Sequence, residues 1–219
     1  MSDKPKKIKL PEQERLFQMT AFERPFWENG IAVAGMDEVG RGPLAGPVVA
    51  ACVMLPPNCL IEGVNDSKKL SKKKLEQLYS EITEKAIAYS CGWVSEKVID
   101  EINILQATKR AFKLAFENLG AACGTVFVDA VRDLEIDAQQ YPIVHGDALC
   151  YSIAAASIVA KVERDRFMVK MAEKYPGYGF EKNVGYGTKQ HTDALRELGP
   201  CEIHRRSFIK NFCLENPKD

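Results

Sequence analysis

The residues best suited to chemistry are two adjacent carboxylates followed by a glycine-flanked arginine. Asp37 and Glu38 come at the end of an apolar run that begins at Ile31, and Gly40-Arg41-Gly42 follows at once. Carboxylates at a strand end suit Mg²⁺, which takes oxygen ligands and needs few protein carboxylates. Glycines on both sides of a basic residue let the backbone approach a ligand closely, because no Cβ intervenes. The combination indicates metal-assisted phosphate chemistry.

Two further acids occupy comparable positions along the chain. Asp129 ends the short segment TVFVD, and Asp147 precedes the longest helical stretch. Strand ends and helix starts gather at one edge of an α/β sheet, where ligand sites form. Four converging carboxylates repel one another unless cations neutralise them, so the set predicts two metal ions about 3.5–4 Å apart. Taken alone, Asp147 fits a helix N-cap better than a ligand, and Asp129 is equally well a turn acid.

The surrounding patterns predict a mixed-sheet α/β domain with a helical C-terminal part. Strands are predicted at 31–36, 48–55, 87–94, 125–129 and 141–144, the first two joined as a hairpin. Helices are predicted at 12–28, 71–86, 95–102, 105–119, 148–175, 188–198 and 207–212, with Ser71 as an N-cap. We expect residues 1–30 to form a basic tail and helix, 31–175 the catalytic domain, and 176–219 a helical extension packed on that domain.

Composition limits the classes of protein that remain. The 219 residues suit one domain, and 46% hydrophobic with 27% charged residues is typical of a soluble protein. No apolar run reaches the roughly 20 residues of a membrane span, and the N-terminus has no signal-peptide core. The seven cysteines form no CxxC pair, which argues against zinc. We expect a cytoplasmic protein without a membrane partner.

Charge alone neither supports nor excludes a nucleic-acid partner. Thirty basic and thirty acidic residues leave no net charge, so only clustering on one face is informative. Basic clusters occur at residues 4–9 and 68–74. On charge patterning alone, a solvated surface is the better interpretation of both clusters.

Five motifs together resemble the ribonuclease HII family, the bacterial type 2 ribonucleases H. They are GMDEVGRGPLAGPVVAA, NDSKKLSKKK, VFVDA, HGDALCYSIAAASIVAKVERDR and GYGTKQH, in the family's order from about Gly35 to Phe208. The resemblance implies an RNase H-like mixed β-sheet flanked by helices, with a C-terminal helical extension. It implies an endonuclease that uses Mg²⁺ or Mn²⁺, and nothing in the sequence requires more than a monomer. Its substrates would be RNA–DNA hybrids and DNA duplexes that contain ribonucleotides, cleaved to a 3′-hydroxyl and a 5′-phosphate.

The resemblance also implies roles for individual residues. Asp37, Glu38, Asp129 and Asp147 are the implied metal-binding and catalytic carboxylates. Gly40, Arg41 and Gly42 are implied to recognise the ribose 2′-hydroxyl, which distinguishes RNA from DNA. Tyr186, in GYGTKQH, is implied to pack on the adjoining sugar at the RNA–DNA junction. Without the resemblance, Tyr186 is also interpretable as a partly buried turn aromatic.

Basic side chains near these motifs are candidate phosphate contacts, which supply affinity independent of sequence. They are Lys68, Lys69, Lys161, Arg164 and Arg206. His145 stands where the family more often has lysine, which leaves any charge role there in doubt. The sequence leaves the roles of His191 and His204 open.

Three alternatives remain to be weighed against the type 2 nuclease. Ribonuclease HIII usually has GKG in place of GRG and carries a substantial N-terminal binding domain. A hybrid-binding protein without catalysis would be favoured by a missing carboxylate, and none is missing. A small-molecule phosphatase or nucleotide-binding domain is disfavoured, because the chain has neither GxxxxGK[ST] nor GxGxxG.

Overall fold

The structure, a computed structural model, describes residues 10–212 and contains one mixed five-stranded sheet. The strands are β1 (Ala34–Val39), β2 (Val48–Met54), β3 (Ala88–Val94), β4 (Thr125–Asp129) and β5 (Gln139–Ile143), and their spatial order is β3-β2-β1-β4-β5. The pairs β1–β2 and β2–β3 are antiparallel, whereas β1–β4 and β4–β5 are parallel. The predicted mixed sheet and the β1–β2 hairpin are confirmed.

The helices match most of the predicted segments. They are α1 (Glu12–Met19), α2 (Arg24–Trp27), α3 (Lys72–Lys85), α4 (Glu96–Glu117), α5 (Gly146–Leu149), α6 (Tyr151–Lys174), α7 (Phe180–Asn183) and α8 (Lys189–Leu198), with a 3₁₀ turn at Ser67–Lys69. Ser71 caps α3 by accepting a hydrogen bond from the Lys74 N–H, as predicted. Asn103 is non-helical inside α4 (φ 68°, ψ 164°), so the predicted division between 95–102 and 105–119 is confirmed.

Three of the predicted helices are wrong. The helix predicted at 12–28 is divided into α1 and α2, and Pro25 opens α2 because proline cannot continue a helix from the preceding turn. The helix predicted at 148–175 is broken at Cys150, whose backbone is extended. Residues 207–212 form turns rather than a helix, and the Asp100 carboxylate accepts the Arg206 and Ser207 N–H groups at the start of this segment.

Strand β1 lies three residues further along the chain than predicted. Its ladder with β2 runs through Asp37, paired with Ala51, and Glu38, paired with Ala50. Both acids therefore lie inside the strand rather than beyond its end. Their backbone is held by the sheet while their side chains are free for other contacts.

Helices cover both faces of the sheet, and two glycines allow them to approach closely. One core packs α1, α3 and α6 against one face of β2, and a second packs α4 against the alternate residues of β2. A Cβ on Gly35 of β1 would lie 2.0 Å from the Ser152 backbone in α6, and one on Gly92 of β3 would lie 2.0 Å from the Ala111 carbonyl oxygen in α4. The close packing of α6 and α4 on the sheet therefore requires glycine at positions 35 and 92.

The C-terminal segment adds a third core that includes part of the β1–β2 connection. Phe180, Leu195 and Ile203 pack with Leu44 and Ala45 of residues 40–47, called loop 40–47 below. An isolated bridge joins Ala45 to His204. Within the described residues no helix is both long and apolar enough to cross a membrane.

Replacing Gly35 with alanine tests the close approach of α6 to β1. The new Cβ would overlap backbone atoms that cannot rotate away, so we expect Gly35→Ala to cost about 3 kcal/mol or more in the free energy of unfolding. Gly124→Ala is the control, because a Cβ there meets no atom within 4 Å. It should change stability by less than about 0.5 kcal/mol. Urea unfolding measures both; equal stability of the two variants would contradict the packing argument.

Candidate metal centre and substrate loop

Parallel pairing of β1 with β4 brings the first two aspartates together. Met36 pairs with Val128, so Asp37 and Asp129, the next residues of β1 and β4, lie side by side where this ladder ends. Strand β5 then leads through a tight turn to Asp147 in the first turn of α5. Oxygen atoms of the three aspartates all lie within 4.8 Å of one another. The structure thus brings together three of the four predicted carboxylates.

Hydrogen bonds hold each aspartate in this arrangement. Asp37 Oδ1 accepts the Glu38 N–H at 2.8 Å, and Asp129 Oδ1 accepts the Gly146 N–H at 2.8 Å. The Lys68 ammonium donates to Asp147 Oδ2 at 2.8 Å. These bonds leave other carboxylate oxygens available at the centre of the cluster.

The fourth acid, Glu38, lies beside this triad rather than within it. Its Oε1 is 3.4 Å from an Arg41 guanidinium nitrogen, and its Oε2 is buried without a partner among the described residues. An unpaired buried carboxylate oxygen is costly. Glu38 is thus available to a cation that occupies the edge of the cluster.

Burial and mutual repulsion shift the ionisation of the cluster. Desolvation, followed by the neighbouring charges of Glu38 and Asp129, raises the pKa of Asp37 well above its usual value. Desolvation also raises the pKa of Glu38 and of Asp129. The ionised cluster therefore carries more negative charge than Lys68 and Arg41 offset. Its donors are all carboxylate oxygens, which fit a hard divalent cation.

Loop 40–47 and the turn at 185–187 form one surface beside the acids. The Leu44 N–H donates to the Gly185 carbonyl at 2.8 Å, and a Cβ on Gly42 would lie 3.8 Å from the Tyr186 ring. Tyr186 is 43% exposed. Arg41, through its contact with Glu38, links this surface to the carboxylates. The structure therefore places the GRG motif and Tyr186 next to each other.

Arg164 is not available as the phosphate contact predicted from the sequence. The residue is fully buried, and its guanidinium donates to the carbonyl oxygens of Pro47, Ala45 and Val184 at 2.9–3.1 Å. Burial lowers its pKa to about 10. Arg164 thus fixes the end of loop 40–47 from beneath.

Sequence reasoning missed Arg205, which holds the other end of the same loop. It is also fully buried, and it donates to the carbonyl oxygens of Gly40, Arg41 and Gly46. Burial, together with the charge of Arg164, lowers its pKa to about 9. Its neighbour Arg206 is the residue that the sequence predicts as a phosphate contact, and only the fold shows that Arg205 is buried and Arg206 exposed.

Sequence reasoning also missed Glu23, which fixes the start of α6. Its fully buried Oε1 accepts hydrogen bonds from the Ser152 N–H, the Ser152 hydroxyl and the Cys150 thiol. An acid at a helix N-terminus is favoured by the helix dipole. Glu23 therefore anchors the junction between α5, which carries Asp147, and α6.

The remaining basic candidates are placed as follows. Lys68 contacts Asp147, and Lys69 pairs with Asp66, whose carboxylate also accepts the Lys68 N–H. Lys161 pairs with Asp165 on the same helix at 2.8 Å. Arg206 is exposed. Only Lys68 touches the acidic cluster directly.

The histidines left open by the sequence have distinct surroundings. His191 and His204 are buried and joined through their Nε2 atoms at 3.0 Å. The Cys201 N–H donates to His204 Nδ1, so a neutral His204 donates from Nε2, and His191 donates from Nδ1 to the Tyr186 carbonyl. This chain supports the backbone of Tyr186. His145 is exposed and adopts a left-handed conformation (φ 59°) in the turn before Asp147.

A mixed sheet with helices on both faces and an acidic triad where its two central parallel strands end their pairing is the arrangement of a metal-dependent hydrolase of phosphate esters with an RNase H-like fold. The model of the ribonuclease HII family matches residues 34–211. Ribonuclease HII from Ruminiclostridium cellulolyticum is 54% identical over 202 residues, covering 92% of this chain and 79% of that protein. The chain belongs to the ribonuclease HII family, which comprises metal-dependent ribonucleases H of type 2.

Solved structures agree with this assignment. Ribonuclease H2 from Pyrococcus horikoshii superposes with a TM-score of 0.69 at 29% identity, covering 81% of this chain and 93% of its own. Ribonuclease HII from Archaeoglobus fulgidus, solved in a complex with PCNA, gives 0.68 at 27% identity, covering 84% and 98%. The RNase H-like fold with a helical C-terminal region is thus confirmed.

Replacing Asp37 with asparagine tests the electrostatic strain in the cluster. A pKa raised above the unfolded value of 3.8 means that the folded state loses stability as pH rises through the folded pKa. Without metal, Asp37→Asn should therefore have a larger unfolding free energy than the wild type at pH 7.5, because the wild type must ionise Asp37 against burial and its acidic neighbours. The difference should shrink toward pH 4.

Thermal and urea unfolding in chelator, repeated from pH 4 to 8, measure this difference. Added Mg²⁺ or Mn²⁺ should stabilise the wild type more than the variant. A variant that is less stable than the wild type at every pH in chelator would contradict the repulsion.

Proposed function

We propose that the chain hydrolyses the RNA strand of RNA–DNA hybrids and nicks duplex DNA 5′ of embedded ribonucleotides, leaving 3′-hydroxyl and 5′-phosphate ends. One observation carries this proposal: three aspartates with oxygens within 4.8 Å adjoin an exposed surface made by the GRG motif and Tyr186. A metal-dependent centre beside a backbone-rich loop suits cleavage next to a ribose.

The metal would be Mg²⁺ or Mn²⁺, since carboxylates suit both. Asp37, Asp129 and Asp147 would hold it, with Glu38 at the margin of the cluster. When bound, two such ions neutralise charge on the phosphodiester and lower the pKa of water. The chain's own contribution is to keep the acids in place, through the hydrogen bonds to Asp37 and Asp129. The Lys68 ammonium, 2.8 Å from Asp147, adds a positive charge near the incoming phosphate.

Recognition of ribose would come from loop 40–47 and Tyr186. A 2′-hydroxyl is both a donor and an acceptor, and backbone groups of Gly40, Arg41 and Gly42 would read it without regard to the base. The exposed ring of Tyr186 would pack on the adjoining sugar, which a misplaced 2′-hydroxyl would obstruct.

Affinity for the backbone of the substrate would come from exposed cations. Lys68, Lys69, Lys161 and Arg206 would contribute contacts that weaken as salt concentration rises. We further propose a cytoplasmic monomer. In it, residues 1–30 precede the catalytic domain 31–175, and 176–219 pack on that domain, as the core shared by loop 40–47 and the C-terminal segment supports.

The proposed activity is tested with a labelled DNA duplex carrying one ribonucleotide. Reactions would contain Mg²⁺, Mn²⁺ or chelator, beside a long RNA–DNA hybrid and an all-DNA duplex. We expect metal-dependent nicking 5′ of the ribonucleotide and an intact DNA control. Cleavage of the long hybrid alone would withdraw the junction role of Tyr186, and binding without cleavage would indicate a non-catalytic hybrid-binding protein.

Asp129→Asn should abolish cleavage while sparing binding. Removing one ligand of the metal centre should slow turnover by at least about a thousandfold, or roughly 4 kcal/mol in activation free energy. Hybrid affinity, measured by fluorescence anisotropy, should stay within about threefold of the wild type, since exposed cations supply it. Near-normal turnover would remove Asp129 from the metal site.

Tyr186→Ala should impair cleavage at the RNA–DNA junction more than folding. Loss of the stacking ring should lower kcat/KM by about tenfold to a hundredfold, as 1–3 kcal/mol of stacking implies. Tyr186→Phe keeps the ring and serves as the control, with activity near that of the wild type. A Tyr186→Ala protein that fails to fold would instead assign the ring to the core.

A further inference from the structure

Arg205 carries a buried charge that no carboxylate balances. Its side chain is fully buried, and no acidic side chain within residues 10–212 forms an ion pair with it. A buried charge is expensive unless hydrogen bonds compensate it. The guanidinium of Arg205 donates hydrogen bonds to the carbonyl oxygens of Gly40, Arg41 and Gly46, at 2.5, 3.0 and 2.9 Å. The guanidinium therefore determines how these peptide units are turned.

In two of these peptide units, Gly40–Arg41 and Arg41–Gly42, the N–H group points away from Arg205. The structure has no cis peptide bonds among its described residues, and in a trans peptide the C=O and the following N–H point in opposite directions. With the Gly40 and Arg41 carbonyls directed inward, the N–H groups of Arg41 and Gly42 are directed outward. Both residues are exposed, and neither N–H has an acceptor in the described part of the chain.

Arg164 offers an internal comparison, because it is equally buried and binds the same loop. The N–H groups opposite two of its carbonyl partners are already used within the protein. The Gly46 N–H donates to the Ile203 carbonyl, and the Gly185 N–H donates to Asn183 Oδ1, each at 2.8 Å. Arg164 therefore supports the loop without presenting donors to a ligand, whereas Arg205 presents two.

We propose that Arg205 is a positioning residue that aims the N–H groups of Arg41 and Gly42 at an oxygen of the substrate, specifically the ribose 2′ oxygen. This inference rests on the proposed function and adds the device that orients the recognising groups. A planar guanidinium is needed, because a lysine ammonium cannot bridge three carbonyls in one fixed fork. Tyr186, against Gly42, bounds the same position.

The test compares Arg205→Lys with Arg164→Lys. Binding to a duplex with one ribonucleotide and to the all-DNA duplex is measured by anisotropy in chelator, which prevents cleavage. We expect Arg205→Lys to lose at least about tenfold of the wild-type preference for the ribonucleotide duplex. Arg164→Lys should lose thermal stability but keep that preference. Equal loss of affinity for both duplexes in Arg205→Lys would locate the acceptor on a backbone phosphate instead and overturn the 2′ assignment.

A second measurement removes one donor without changing Arg205. Replacing the amide of Gly42 with an ester, by incorporating glycolate at position 42, deletes the N–H and leaves both arginines intact. The ribonucleotide preference should fall here too, even if Arg205→Lys does not fold. Unchanged preference in the ester protein would overturn the inference. A wild type that cleaves neither substrate and shows no preference would instead refute the proposed function.

Discussion

The site depends on one constraint, the parallel pairing of β1 with β4 beneath a closely packed α6. Because Met36 pairs with Val128, the next residue of each strand, Asp37 and Asp129, must lie beside the other. The missing side chain of Gly35 lets α6 lie against β1, and the residues just before α6 carry Asp147 to the same edge. Folding therefore assembles acids that repel one another, and hydrophobic burial on both faces of the sheet outweighs that repulsion.

Two buried groups of opposite charge adjoin loop 40–47, the acidic cluster and the pair Arg164 and Arg205. They differ in how far the surrounding protein compensates their charge. The acidic side is under-neutralised: burial and neighbouring acids raise the pKa of Asp37, and an oxygen of Glu38 has no hydrogen-bond partner among residues 10–212. That arrangement is favourable only once a cation arrives. The two buried guanidinium groups are satisfied, because Arg164 and Arg205 donate hydrogen bonds to backbone carbonyls. The acids therefore remain open for binding while the arginines make the loop rigid.

Secondary structure could be predicted where local chemistry decided it. The cap of α3 by Ser71 and the division between 95–102 and 105–119 were both predicted, and in the structure Ser71 and Asn103 each act on N–H groups within three residues. Two of the wrong predictions, at the start of α6 and at residues 207–212, fall where side chains distant in the sequence bind the backbone. Glu23 binds the start of α6 across the core, and Asp100 captures the backbone at Arg206 and Ser207. Such contacts join residues more than 100 positions apart and leave no periodic signal.

The sequence by itself determined the kind of chemistry and the family, because the types and order of the acids, glycines and Tyr186 are sufficient for both. It also determined the mixed α/β class, since alternating patterns report burial directly. Only the tertiary structure decided which cations are available to a ligand. Arg164 and Arg206 look alike in sequence, yet one is fully buried and the other exposed. The neighbouring sequence does not show whether a basic residue is buried, because its exposure depends on elements distant in the chain that pack around it.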